Sequence, residues 1–282
     1  MSNIKKVAVC GAGTMGRGIA IAVASAGFQT ILYEKNEPVL QSARQEIIEL
    51  ANQWLDKKRI TEKQHHGLLK NIVYTNSIEV CIADILIEAI YENEEAKKEL
   101  YQQLNHLNES GAILVSNTSS LSVNTLAKHV SSPGQFAGMH FFNPAYAMKL
   151  VELVKGNQTS EQTMEVLSTF TRALGKIPVN CMDAPGFIVN HVARPYYLEA
   201  LWLHEHYGIA VEQVDKILEA TGFRMGPFKL MDLIGNDINY AVSCSVYEAL
   251  GKPPALQPSA LQQRKVEAGE LGKKSGKGYY TY

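Results

Sequence analysis

The sequence predicts an α/β domain followed by a smaller all-helical one. Up to about residue 184, short apolar runs alternate with longer amphipathic stretches, the rhythm of a parallel sheet with crossover helices. Beyond Pro185-Gly186-Phe187, which reads as a hinge, strand-type alternation stops. A chain of 282 residues suits two domains of ordinary size, expected at 1–184 and 185–282.

Taken in order, the expected strands are 7–10, 30–33, 85–88, 113–115 and 137–142. Each is too short for a helix and is closed by Gly, Asn, Pro or a charge. A helix is expected from Thr14, and another over 38–57, where Pro38 stands at a position whose N–H has no helical partner. Ala43, Ile47, Ala51 and Trp54 recur along it at helical spacing. After the polar turn Lys57-Lys58-Arg59 a further helix starts at Thr61, with Thr61 and Gln64 placed as a capping box. Two helices in succession interrupt the β–α rhythm, so this pair is expected to project as a hairpin insertion. Residues 94–107 form the next helix. In the second domain, 188–207, 211–220 and 231–250 read as helices, punctuated by Gly226-Pro227 and Pro253-Pro254.

Composition excludes several function classes. Hydrophobic residues make up 46% and charged residues 20%, a globular balance. A net charge of -1 provides no general field for nucleic acid, so a polyanionic ligand has to be met by local basic residues. No stretch approaches the roughly 18 apolar residues of a membrane helix, and the opening MSNIKKVAVC runs straight into glycines without a cleavage-type segment. The cysteines Cys10, Cys81, Cys181 and Cys244 lack metal or redox spacing, which fits reduced thiols and a cytoplasmic location.

Chemistry first appears in VAVCGAGTMGRGIA. Gly11, Gly13 and Gly16 stand in GxGxxG spacing directly after a strand and at the opening of a helix. In that context the first glycine allows the tight turn, the second lets backbone N–H groups approach a pyrophosphate, and the third lets helix meet strand. The helix N-terminus adds unpaired donors and positive potential for the phosphates. An acid is then required about 20 residues on, to bind the ribose hydroxyls. Glu34 supplies it. A carboxylate there repels the extra phosphate of NADP, so NAD is the expected cofactor, although Lys35 beside it works against that preference.

The stretch 116–152 carries the second signal. Ser119 lies just past a buried strand, His140 lies inside an apolar strand ending in Asn143-Pro144, and Glu152 lies in the next apolar run. In a doubly wound sheet, chemistry gathers at the carboxyl ends of strands, where His140 and Ser119 both fall. Oxidising a secondary alcohol needs a base near neutral pH, and histidine suits it. A carboxylate such as Glu152 on the other ring nitrogen would fix the tautomer. From spacing alone His140 is a candidate base or a satisfied core residue.

GAGTMGRGIA, SNTSSLS, GMHFFNP, MKLVELV, APGFIVN, MGPFKLMD and the closing GKKSGKGYY occur in an order that resembles the 3-hydroxyacyl-CoA dehydrogenase family over almost the whole chain. Within it, the chain resembles the single-function bacterial 3-hydroxybutyryl-CoA dehydrogenases, which are of about this length. The resemblance implies a Rossmann-like NAD-binding domain, then a helical substrate and dimerisation domain. It implies NAD-dependent oxidation of a short-chain (S)-3-hydroxyacyl-CoA, such as 3-hydroxybutyryl-CoA, to the 3-oxoacyl-CoA, and the reverse, in fatty acid metabolism. His140 becomes the catalytic base and Glu152 its partner. Ser119 and Asn190 would hydrogen-bond the substrate's 3-oxygen, and Glu92 and Lys97 would contact the nicotinamide half of the cofactor. The implied partners are an acyl-CoA and a second copy of the chain, with neither nucleic acid nor membrane.

The chain departs from the family pattern at four places: Tyr146 where a second proline is usual, His191 for an arginine, Lys229 for an acid, and Asn236 for a leucine. Tyr146 is expected to narrow the acyl pocket toward short chains. The basic residues Lys57, Lys58, Arg59, Lys63 and Lys70 read either as a site for coenzyme A phosphates, as in the family, or as a solvated helix–turn surface. His65-His66 and His204-Glu205-His206 diverge on a helix and do not read as metal ligands. The glycine-rich segment 272–278 lacks the context of a P-loop and reads as a turn docking the C-terminal tyrosines. Two rivals stay open: a dehydrogenase of a free hydroxy acid or sugar acid on the same fold, and a non-catalytic dinucleotide-binding protein.

Overall fold

The computed structural model describes residues 4–108 and 111–282, and divides into two compact units, Met1–Asp183 and Ala184–Tyr282. In the first unit, β1 (Lys6–Cys10), β2 (Gln29–Tyr33), β3 (Ile72–Thr75), β4 (Ile85–Glu88), β5 (Ile113–Ser116), β6 (Phe136–Phe141), β7 (Leu150–Lys155) and β8 (Ile177–Met182) form one sheet. Its order is β3-β2-β1-β4-β5-β6-β7-β8, parallel except for the antiparallel β6–β7 pair. The central strands β4, β5 and β6 are buried along their whole length, because helices cover both faces of a parallel sheet.

The strand order reverses between β1 and β4. Crossovers on either side of this point wind in opposite directions, which leaves a crevice at the carboxyl ends. Helix α1 (Thr14–Ser25) follows β1, and its Ile19, Ala20, Val23 and Ala24 pack into the core beneath the sheet. Helices α2 (Glu37–Asp56) and α3 (Glu62–Lys70) follow β2. Asn36 caps α2 through Val39 N–H, and Thr61 and Gln64 form the reciprocal capping box of α3. Leu40, Ala43, Ile47 and Ala51 of α2 and Leu68 of α3 belong to the sheet's own core. The helical pair is thus the crossover between two neighbouring strands, β2 and β3.

Three strands escape the sequence pattern. β3 is a four-residue edge strand, β7 carries Glu152 in its middle, and β8 is a half-exposed edge strand interrupted by Pro178. Helices α4 (Glu94–Leu107), the short α5 (Val123–Leu126) and α6 (Glu161–Ala173) complete this unit.

The second unit is helical throughout: α7 (Val189–Tyr207), α8 (Val211–Ala220), α9 (Pro227–Ile234), α10 (Asn236–Ala249) and α11 (Ala260–Glu267). The single helix expected over 231–250 is in fact two, α9 and α10, because Gly235 sits at φ 105° between them. Tyr197, Leu198, Leu201, Val214, Phe228 and Met231 form its core. Two buried carboxylates tie the unit together. Asp215 accepts from Phe228 and Lys229 N–H at the start of α9, and Asp232 accepts from Tyr279 and Tyr280 N–H, docking the C-terminal segment.

Candidate active site

The β1–α1 turn is shaped by close approach. Gly11 lies at φ 108°, and a Cβ there would fall 2.6 Å from Ala89 O. A Cβ on Gly16 would fall 1.8 Å from Gly11 O, so no side chain fits where the helix crosses the turn. Gly13, the N-cap of α1, is exposed, with open space where a side chain would stand. At the end of β2, Glu34 accepts from Ala12 N–H at 3.1 Å, so its carboxylate lies against the glycine turn. A turn with glycine at positions 11 and 13, a helix N-terminus and an adjacent carboxylate fit a dinucleotide's pyrophosphate and ribose.

Beside this turn, a buried charged cluster occupies the carboxyl ends of β4 and β5. In register, Glu88 is level with Cys10 of β1 and Ser116 of β5. The Lys97 ammonium on α4, only 1% exposed, is 2.9 Å from both Glu88 oxygens and 2.9 Å from Glu92 Oε2. Glu92 turns its other oxygen to the loop after β5, accepting from Thr118 Oγ1 at 2.6 Å, Ser119 N–H at 2.9 Å and Ser120 N–H at 3.1 Å. Burial would raise the Glu92 carboxyl, but the Lys97 charge and the hydrogen bonds from Thr118 and Ser119 outweigh it and hold the group at about 2. Asn117 Oδ1 accepts from Phe141 N–H at 2.9 Å and joins this loop to the end of β6.

The antiparallel turn of the sheet sets His140 of β6 directly opposite Glu152 of β7. Residues directly opposite on one face lie within side-chain reach. His140 Nδ1 is 2.7 Å from Glu152 Oε2, with both side chains buried. With Glu152 ionised, the carboxylate can only accept, which puts the proton on Nδ1 and leaves Nε2 as the basic nitrogen. The Phe142 ring lies against the imidazole, 4.6 Å between centroids. Following β6, residues 143–148 are held by the Lys176 ammonium, which donates to Ala145 and Met148 carbonyls. Burial, aided by Lys149, pushes Lys176 down to about 8. Tyr146 meets Trp54 of α2 edge to face at 5.2 Å and lines a groove shared with Thr14 and Arg17 of α1 and Glu46 and Leu50 of α2.

Of the residues anticipated from sequence, Gly11, Gly13, Gly16 and Glu34 gather around the β1–α1 turn, Glu92, Lys97 and Ser119 form one hydrogen-bonded cluster, and His140 and Glu152 one pair. Asn190 stands in the first turn of α7, in the second unit. Sequence reasoning missed Glu88, Asn117 and Lys176. Glu88 had a signal: a lone carboxylate closing a wholly apolar strand.

The model for "3-hydroxyacyl-CoA dehydrogenase, NAD binding domain" matches residues 6–184, and that for the C-terminal domain of the same enzymes matches 186–282. The chain belongs to the 3-hydroxyacyl-CoA dehydrogenase family. The NAD-binding part of such a dehydrogenase is thus the unit that carries the glycine turn. Among relatives, the 3-hydroxyadipyl-CoA dehydrogenase of Escherichia coli K12 is 43% identical over 284 residues, covering 100% of this chain and 60% of that protein. This chain therefore spans less than two thirds of that relative. The mitochondrial hydroxyacyl-coenzyme A dehydrogenase of Mus musculus is 38% identical, covering 99% of this chain and 91% of that protein. The crystal structure of (S)-3-hydroxybutyryl-CoA dehydrogenase from Ralstonia eutropha superposes with a TM-score of 0.94 at 34% identity, covering 99% of both chains. No helix among the described residues is long and apolar enough to cross a membrane.

Proposed function

We propose that this chain catalyses NAD-dependent oxidation of a short-chain (S)-3-hydroxyacyl-CoA, 3-hydroxybutyryl-CoA in the first place, to the 3-oxoacyl-CoA, and the reverse reduction. The observation that carries this reading is the buried His140–Glu152 pair at the carboxyl end of β6, in the same sheet as a glycine turn fitted to a dinucleotide. The substrate class follows the relatives' names, and the short chain follows the Ralstonia enzyme.

In the oxidative direction His140 Nε2 takes the hydroxyl proton, and the resulting imidazolium is stabilised by Glu152 across the strand pair. The nicotinamide, when bound, supplies the hydride acceptor. Gly11, Gly13, Gly16 and Glu34 hold the cofactor's pyrophosphate and ribose. Ser119 and Asn190 hydrogen-bond the substrate's 3-oxygen, steadying it as its charge changes. Glu92 contacts the nicotinamide half, and Lys97, being buried, acts there through Glu92. In reduction, protonated His140 returns the proton. We assign the second unit a substrate and dimerisation role, with the chain working as a homodimer in the cytoplasm.

Mixing the purified chain with NADH and acetoacetyl-CoA tests this directly. Loss of nicotinamide absorbance is expected with the thioester and not with free acetoacetate. His140→Gln should abolish turnover, and Glu152→Gln should lower kcat by on the order of 10²–10⁴. Turnover of the free acid instead would move the assignment to a hydroxy acid or sugar acid dehydrogenase. NADH binding without turnover of either would leave a dinucleotide-binding protein. 3-Hydroxyadipyl-CoA, named for the Escherichia coli relative, is the second thioester to assay.

A further inference from the structure

We infer that Glu88 is a positioning residue for the Ser119 loop, acting through Lys97 and Glu92. The inference rests on the reading of Ser119 as a substrate contact. The Glu88 carboxylate is fully buried and engaged by Lys97 Nζ on both oxygens, Tyr101 Oη at 2.8 Å, Ser116 Oγ at 2.6 Å and Ile90 N–H at 2.9 Å. These donors fix the carboxylate from the strand on one side and α4 on the other. Lys97 then has its ammonium placed to within one hydrogen-bond length, and beyond Glu88 it reaches Glu92 at 2.9 Å and Ser116 Oγ at 3.4 Å. Glu92, on the exposed β4–α4 connection and rooted in no strand or helix, is held from the loop by the Thr118 and Ser120 hydroxyls and the N–H groups of Ser119 and Ser120, and from α4 by Lys97.

The order of burial gives the direction of this chain of contacts. Glu88 and Lys97 are buried, whereas the Glu92 side chain is about a third exposed. Rigidity therefore passes outward from the sheet to the loop. Buried ion pairs are poor sources of stability, and apolar residues of similar volume often serve as well. What an apolar trio could not do is orient two backbone N–H groups through a carboxylate. A loop displaced by about 1 Å can cost on the order of 10² in rate, so such orientation matters to catalysis.

The test combines two readouts on the full chain. In Glu88→Gln, which keeps the shape and removes the charge facing Lys97, amide hydrogen exchange across 117–122 should quicken at least tenfold, whether or not the protein is active. Unchanged exchange there would overturn the inference. The second readout is a kinetic cycle with NADH and acetoacetyl-CoA. Glu88→Gln should lower kcat about tenfold in the parent but less than about twofold in a Ser119→Ala background, because residues acting on one feature are non-additive. Equal losses in both backgrounds would show a role unrelated to the loop and refute it. Parental kcat in Ser119→Ala alone would instead show that the reading of Ser119 is wrong. Should Glu88→Gln fail to fold, Glu88→Gln with Lys97→Met removes both charges together and carries the same expectations.

Discussion

A histidine on a buried strand gains a defined chemistry only when one of its nitrogens is committed. Here Glu152, a cross-strand neighbour, engages Nδ1, and the contact depends on the antiparallel β6–β7 pairing in an otherwise parallel sheet. A one-residue slip of β7 would turn Glu152 to the other face of the sheet, leaving two buried polar groups apart. Tyr146 stands close after this strand, anchored on Trp54 by an edge-to-face contact of about 0.5–1.5 kcal/mol. If the acyl chain runs along the groove that Tyr146 lines, as proposed, such a ring limits its length. Tyr146→Pro should raise the ratio of kcat/KM for long over short acyl-CoA about tenfold, the scale of a small change in pocket size. An unaltered ratio, with both thioesters still turned over, would remove Tyr146 as the determinant of length. Gly11, Gly13, Gly16, Glu34, Ser119, His140 and Glu152 were legible in the sequence as types and spacings, whereas Glu92, Lys97 and Asn190 entered only through the family resemblance. The spacing left Glu152 as a candidate carboxylate for His140 and the resemblance named it as the partner; what neither supplied was the strand register that sets the two directly opposite.

At the scale of elements, most of the sheet and its helices could be read from periodicity, because the central strands are continuous apolar runs and the helices carry recognisable caps. Part of what escaped was decided by tertiary contacts, though α6 and α11, each capped by a serine, were also absent from the expected helices. β8 contains Pro178 and is half exposed, so only its pairing with β7 makes it a strand. The break at Gly235 was lost inside a long apolar stretch, since glycine in a helical pattern does not by itself announce a positive φ. The β4–α4 connection shows how a loop acquires stability. Glu92 is held at about 2, against an ordinary value of 4.5, by Lys97 and the hydrogen bonds of the β5–α5 loop. The folded state therefore keeps Glu92 ionised where the unfolded chain is already protonated. Its contribution is complete above about pH 4.5 and is lost as pH falls toward 2. Allowing for partial solvent exposure, it amounts to about 1–2 kcal/mol. In urea titrations, Glu92→Gln should lose less stability than the parent between pH 4.5 and pH 2, and parallel curves would show that Glu92 is not one of the acid-sensitive groups.

For the molecule as a whole, the second unit poses the remaining question. It is about a third of the chain, yet among the described residues it holds more than half of the large apolar side chains left exposed. Val192, Trp202 and Tyr207 of α7, Ile217 of α8, Leu233 of α9 and Ile238 of α10 are all at least 44% accessible. Scattered apolar residues on a surface need no explanation, but this density exceeds what a small helical unit with its own core requires. Its interior is already filled by Tyr197, Leu201, Phe228 and Met231. On the proposed homodimer, these side chains are candidates for a face buried across a two-fold axis, the commonest symmetry of soluble oligomers. Sedimentation equilibrium should return twice the 31.1 kDa chain mass. Ile217→Glu or Leu233→Glu should shift the population toward the single chain, because each would bury an unpaired charge in such a face. A parent that sediments as one chain at all concentrations would rule the dimer out. A dimer unmoved by either charge would place its interface elsewhere than α8 and α9.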